Sequence, residues 1–509
     1  MKSIVKASDK LSWGNGARAV FVLCAMTAIA LPAQTFTSHS FYGANGTNPV
    51  GAMVQVTNGD LYGTTTGGGA KQNGTIFKLT PSGKLTTVYS FCSQSGCTDG
   101  SGPQGALVQA TNGYLYGTTE YGGSSTSCYG GCGTVFKISP SGTLTTLYNF
   151  CSQTNCTDGE TPFAGLVQAT NGSFYGTTYG GGANGLGTVF KITPGGTLTT
   201  LYSFCSQANC TDGKSPIAGL VQATNGYLYG TTFFGGANGD FGTLFKISPS
   251  GTLTTLYSFC AESGCTDGAN PYAVLVQATN GDLYGTTEYG GAGAYCPNEQ
   301  CGAFFKITLA GTLTTLYSFC SQSGCADGVT PEGGLVQATD GDLYGTTYAG
   351  GGGAGCAGGN CGTIFKISPS GTLTKLHTFC SQLNCTDGAD PVAGLVQATN
   401  GDFYGTTFLG GAYNQLSGGY GTFFHLSVGL GPFVETQPAS GKAGAAVKIL
   451  GTDLTGASSV SFNGTAAAFT VVSTYLITTT VPAGATSGKV QVVTPGGTLS
   501  SNVPFRVLP

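Results

Sequence analysis

A chain of 509 residues with 88 glycines, 8% charged residues and a formal net charge of −4 is turn-dense, weakly charged and far longer than one core requires. That balance excludes a basic surface for nucleic acid and an acidic run of the kind that marks a disordered tail, so no polyanion partner is expected.

Residues 1–33 stand apart from everything after them. Lys2, Lys6, Lys10 and Arg18 precede an apolar run from Ala19 to Leu31, followed by small residues as far as Ala33, which is the layout of a secretory signal peptide. The run is short for a bilayer span, and no later stretch is apolar enough to be a transmembrane segment. An exported mature chain is therefore expected, with Trp13 and Cys24 leaving in the leader.

The next 400 residues are copies of one unit. In the copy at 105–162, Leu107 to Thr111 and Tyr114 to Thr119 are short β-prone runs joined by Asn112-Gly113, a tight hairpin signal. Thr134 to Ser139 and Thr143 to Phe150 form a second hairpin across Pro140-Ser141-Gly142. Each copy is thus a four-stranded antiparallel sheet. Gly117, in the second strand, is expected to permit close backbone approach near a crowded axis.

The tetrad Tyr-Gly-Thr-Thr begins at Tyr62, Tyr116, Tyr175, Tyr229, Tyr284, Tyr344 and Tyr404, a period of 54 to 60 residues that suits propeller blades. The last copy stops after a third strand, Thr422 to Ser427, and the first is preceded by Thr35 to Phe41, which resembles the missing fourth. A ring closed by its own termini leaves no edge exposed there. The expected fold class is all-β: a seven-bladed β-propeller over residues 34–430, closed by an N-terminal strand, then a small immunoglobulin-like β-sandwich over 433–509.

Eighteen cysteines follow the leader, all in nearby pairs. Six pairs sit in blade-to-blade loops: Cys92/Cys97, Cys151/Cys156, Cys205/Cys210, Cys260/Cys265, Cys320/Cys325 and Cys380/Cys385. Three more, Cys128/Cys132, Cys296/Cys301 and Cys356/Cys361, occur only in the longest copies. An even count in an exported chain, paired locally, predicts loop-stapling disulfides rather than a metal site. These loops emerge on one face of the disc, so that face is the expected binding face.

Candidate ligand-binding residues follow the tetrads: Glu120, Tyr121, Tyr179, Phe233, Glu288, Tyr289, Tyr348 and Phe408. Aromatics beside carboxylates near a channel mouth suit stacking and hydrogen bonding to a glycan or a peptide, though packing between blades also requires aromatics. Asp99, Asp158, Asp212, Asp267, Asp327 and Asp387 recur before glycine; a ring of carboxylates is one reading, and a turn that each aspartate caps for itself is the favoured one. A lysine row, Lys78, Lys137, Lys191, Lys246, Lys306 and Lys366, reads as stems packed between blades. No catalytic set, metal set or cofactor motif emerges.

After Pro432 the repeats end. Pro438 to Gly441, Gly451 to Leu454, Val481 to Ala485 and Thr494 to Gly497 carry a pattern that resembles the immunoglobulin-like IPT/TIG domains. The LVQATNG, LYGTT and GT-x-FKI segments resemble the Gloeo/Verruco tandem repeats of exported bacterial proteins, a resemblance that implies no particular activity. Together these features predict a secreted or cell-surface, non-enzymatic protein that presents one face to a glycan or an extracellular protein. The alternatives are a polysaccharide-active hydrolase or lyase and a self-assembling surface-layer or filament component.

Overall fold

The computed structural model describes residues 34–296, 301–352, 361–413 and 418–509. The leader-like segment and Cys356 lie outside the described residues. No helix among them is long and apolar enough to cross a membrane. Seven four-stranded antiparallel sheets form a seven-bladed β-propeller. The third blade, typical of the rest, orders Val167–Gln168, Phe174–Thr178, Thr188–Ile192 and Leu198–Ser203 from the axis outward. The innermost strand is only two residues long, shorter than the sequence predicts. Convergence of the blades leaves no room there for a longer ladder.

The tetrad is a set of four separate contacts, and all five residues of Phe174–Thr178 are buried. The Tyr175 hydroxyl accepts from Asn171 Nδ2 at 2.8 Å, which ties the strand to its own Asn-Gly turn. Thr177 Oγ1 donates to the carbonyl of Ala218 in the next blade at 2.9 Å. Thr178 Oγ1 meets Thr188 Oγ1 at 2.8 Å within the blade. The glycine is required by a side chain and not, as expected, by a backbone: a Cβ on Gly117 would lie 2.6 Å from Phe136 Cζ.

Two sets of interactions run right round the ring and close on themselves. Phe91, Phe150, Phe204, Phe259, Phe319 and Phe379, each just after an outer strand, pack against the third-strand phenylalanine of the next blade at 5.2 to 5.4 Å. Phe41 supplies the seventh contact, to Phe77 at 5.1 Å. On the tight-turn face the main-chain N–H of Thr57, Thr111, Thr170, Thr224, Thr279 and Thr339 donates to a glutamine side chain of the following blade. Thr399 then donates to Gln55 at 2.9 Å and completes the circle. Thr35–Ser40 pairs with Thr422–Ser427 over six residues, from Thr35 opposite Ser427 to Ser40 opposite Thr422. The terminal strand thus occupies the outer position of the last blade.

The C-terminal module is a β-sandwich of two four-stranded sheets around Ile449, Leu454, Phe462, Ile477, Val492 and Phe505. It packs on the tight-turn face. Lys448 Nζ donates to the Thr111 carbonyl at 3.0 Å, Asn502 Nδ2 to the Gln337 carbonyl at 2.7 Å, and Arg506 to the Thr224 carbonyl. Thr452 Oγ1 meets Thr399 Oγ1 at 2.9 Å. These partners lie on the second, sixth, fourth and seventh blades, so the sandwich straddles the axis.

Candidate ligand-binding site

On the opposite face the cysteine loops are held by disulfides and by buried aspartates. Cys92–Cys97, Cys151–Cys156, Cys205–Cys210, Cys260–Cys265, Cys320–Cys325 and Cys380–Cys385 are closed between blades, and Cys128–Cys132 and Cys296–Cys301 within the long copies. The ninth expected pair differs from these eight, because only one of its members is among the described residues. Cys361 is fully buried and disulfide-bonded, whereas Cys356, its expected partner, falls in the undescribed stretch 353–360.

Asp212 is fully buried and accepts from the Tyr202 hydroxyl at 2.7 Å, Ser206 N at 2.9 Å and Gln207 N at 3.2 Å. Asp99, Asp158, Asp267 and Asp327 repeat the arrangement. In the sixth blade His377 replaces the tyrosine, with Nε2 at 3.5 Å from Asp387. Each carboxylate is consumed by its own loop, so the six aspartates form no shared ring.

From each loop the chain passes a proline and turns down the axis. The residue before that proline has positive φ in every copy, including the β-branched Thr161 at 57° and Thr330 at 49°, a conformation held only where surrounding structure enforces it. The next residues are small. A Cβ on Gly105 would lie 2.4 Å from Gly165 N, and one on Gly394 would lie 2.8 Å from the Gly334 carbonyl. Seven such segments enclose an axial cavity of about 410 Å³.

The residue after each proline lines that cavity: Val50, Gln104, Phe163, Ile217, Tyr272, Glu332 and Val392. Sequence reasoning missed this position. The available signal was its variation from copy to copy inside a Pro-x-small-small-Leu-Val-Gln segment that otherwise departs only at Met53 and Val274.

The residues singled out after the tetrads stand behind the cavity wall as a collar. Glu120 accepts a hydrogen bond from Gln104 Nε2, and Tyr179 packs edge-on against Phe163 at 5.4 Å. Phe233 meets Tyr272 at 6.2 Å, and the Phe408 carbonyl accepts from Asn48 Nδ2 at 3.1 Å. Tyr121 and Tyr289 bond the carboxylates of Glu120 and Glu288 next to them.

The collar is unusually acidic. Glu120, Glu288 and Asp390 are buried and Glu332 is half-buried. Burial, with the charges of Glu288 and Asp390 beside it, pushes Glu332 up to about 8. Burial also pushes Asp390 up to about 6, against a bond from Tyr348 that lowers it. Glu120 and Glu288 are raised by burial as well. Tyr272 is pushed up to about 12 by burial and by Glu332, Glu288 and Glu120, which places these groups in one electrostatic neighbourhood. Sequence reasoning found Glu120 and Glu288 but not Glu332 and Asp390. The lysine row stays at the other rim, where Lys366 pairs with Asp342 at 2.8 Å and Lys78 with Asp60 at 3.5 Å.

A further carboxyl stands where the sandwich meets the propeller. Glu435 lies two residues before Gln437, so both side chains share one face of their strand, and Gln437 Nε2 donates to the Gln109 carbonyl of the propeller. Glu435 keeps an exposed surface, while protein crowding around its carboxyl pushes it up to about 7.

The profile of the Gloeobacter/Verrucomicrobia repeat matches residues 25–210, 125–358, 204–424 and 297–467. The chain belongs to this repeat family. The IPT/TIG domain profile matches residues 434–507. No curated protein matches the chain. Among solved structures, a fungal alcohol oxidase of the AA5 family in complex with copper is similar at TM-score 0.51 and 13% identity, over 93% of this chain and 99% of that one. That likeness spans both the propeller and the sandwich and concerns the fold alone. The extracellular domain of a putative hybrid two-component system from B. thetaiotaomicron reaches 0.48 at 12% identity, over 91% of this chain and 53% of that one. A polysaccharide lyase, the PL25 ulvan lyase, reaches 0.43 at 10% identity, over 66% of this chain and 86% of that one.

Proposed function

We propose that this member of the repeat family is an exported, non-enzymatic binding protein that takes a ligand into the axial cavity from its disulfide-stapled face. The observation that carries this reading is where the copies differ. The blades repeat one another strand by strand, yet the seven cavity-lining positions after the prolines hold Val, Gln, Phe, Ile, Tyr, Glu and Val. Packing alone does not call for that divergence, whereas a concave site with mixed apolar and polar walls is what a specific ligand needs. The eight collar residues predicted from sequence set the shape and charge of the mouth. The sandwich restricts access from the other side.

The test is a thermal-shift screen of glycans, peptides and small metabolites against the mature protein and an Ile217→Trp variant, whose indole fills the cavity. Ligands that stabilise the first and not the second support the reading. Ligands that stabilise both equally overturn it.

A polysaccharide-active enzyme is a second reading. It is favoured by Glu332, whose carboxyl burial and neighbouring charges push up to about 8, as a general acid requires. Release of reducing ends from cell-wall or plant polysaccharides, abolished by Glu332→Gln, would establish it in place of the first.

A further inference from the structure

We propose, resting on the axial-binding reading above, that the cavity's ligand is a small organic cation: an ammonium group on an apolar or aromatic body, held at Glu332 in the cavity wall with Glu288 and Asp390 behind it. Several independent observations point there.

The acidic groups come from separate blades and converge without a counter-charge. Ion pairs among the described residues use Lys78, Lys214, Lys366, His377 and His425, and none reaches Glu120, Glu288, Glu332 or Asp390. Buried carboxylates without a partner are costly, and a bound cation removes that cost.

Asp390 is 3% exposed, and its Oδ1 has no hydrogen-bond partner. The equivalent residues in the first and fifth copies are asparagines. Asn48 Nδ2 donates to the Phe408 carbonyl at 3.1 Å and Asn270 Nδ2 to the Phe233 carbonyl at 2.9 Å. In those two copies the side chain at this position is a donor, and an ionised aspartate supplies none. An ammonium N–H provides one.

The charge at 332 is not structural either, because Gln104 fills the same position in the second copy. Both acidic residues replace neutral counterparts that the blade accommodates elsewhere.

The walls fit the rest of such a molecule. Ile217 and Phe163 are apolar, and Tyr272 adds an aromatic ring of the kind that attracts cations. A bare metal ion fits poorly. The described residues contain one group of three or more potential ligand atoms within 4.8 Å of one another, Cys128, Cys132, Cys151, Cys156 and Glu160, and its cysteines are joined in disulfides. No three collar carboxylates bring oxygens within 4.8 Å of one another, which suits a larger cation.

Glu332 is faced by Glu288 from the fifth blade, Asp390 from the seventh, and Tyr272 and Tyr348. Cation binding therefore displaces protons from this group, and affinity should rise with pH.

The experiment is calorimetric titration of the mature protein with butylammonium, tyramine and choline, with 1-butanol as the neutral control and Ca²⁺ as the metal control. At least one amine should bind, at least tenfold more tightly at pH 8.5 than at pH 6, while 1-butanol and Ca²⁺ give no comparable heat. Glu332→Gln and Asp390→Asn, each matching a residue native to another copy, should melt no lower than the parent and weaken the amine at least tenfold. No amine binding, equal binding of 1-butanol, or unchanged affinity in both variants overturns the inference. Neutral ligands lost on Ile217→Trp, with no amine bound, would leave the cavity reading intact and remove only its cationic ligand.

Discussion

Replacing Asp212 by alanine separates a loop anchor from a ligand-binding carboxylate. The substitution removes the acceptor of three hydrogen bonds, at 2.7 Å from the Tyr202 hydroxyl, 2.9 Å from Ser206 N and 3.2 Å from Gln207 N. Bonds to a charged acceptor contribute about 1.5 to 3 kcal/mol each when their loss strands a buried group, and about 1 kcal/mol where water can substitute. Tyr202 is half-buried and the two amides sit in a surface loop, so the lower figure applies and the loss is about 3 kcal/mol. Cys205–Cys210 still closes the loop, so the change reports the carboxylate alone. Urea unfolding followed by circular dichroism and tyrosine fluorescence measures it, since no tryptophan follows Trp13. Asp240→Ala is the control, because its 2.9 Å pair with Lys214 leaves the aspartate side chain 63% exposed, and such surface pairs contribute at most about 1 kcal/mol. An Asp212→Ala protein as stable as its parent, or one that instead loses binding at the cavity, would refute the anchoring role.

Three more outcomes are expected. Glu332→Gln should change how stability varies with pH. The folded value is raised to about 8 from 4.5, so this residue's contribution is full below about pH 4.5 and is lost as pH rises to about 8. The variant should therefore gain melting temperature over its parent progressively across that window, and a constant difference would contradict the raised value. Phe41→Ala and Phe204→Ala should each cost about 3 to 5 kcal/mol in denaturant unfolding, because both rings are fully buried in equivalent inter-blade contacts. A loss under about 1 kcal/mol at Phe41 alone would mean that the ring is open there. Gly176→Ala should cost about 1 to 3 kcal/mol, since the added methyl would lie 2.6 Å from Phe190 Cζ, and a neutral result would show that the ring has room to move.

The architecture was readable because the sequence repeats itself. Thr35 to Phe41 matches the outer strand that the last copy lacks, and the pairing of Thr35–Ser40 with Thr422–Ser427 follows from that likeness. The role of Asp212 was also legible, since aspartate before glycine bonds its own loop whatever the fold around it. What stayed hidden depends on several blades at once. Glu332 and Asp390 look unremarkable in a single copy, and their perturbation arises only when the fifth, sixth and seventh copies converge. The β-prone run of the innermost strand begins only after the cavity-lining residue, as Leu107 does after Gln104, so those residues fell outside every predicted element. Gly117 was assigned to backbone crowding because a sequence does not reveal that the Phe136 ring lies over it. The docking of the sandwich was unreadable for another reason: Lys448, Asn502 and Arg506 reach main-chain carbonyls of Thr111, Gln337 and Thr224, and carbonyls carry no side-chain signature.

The account depends on a ring closed by its own first strand, because only closure brings the seven segments together around one cavity. Hydrogen exchange read by mass spectrometry on a peptide covering Thr35 to Phe41 tests this most directly. Protection equal to that of Leu198–Ser203, the equivalent outer strand of the third blade, is the predicted result. Exchange at the rate of an unstructured segment, with Leu198–Ser203 protected in the same sample, would contradict it.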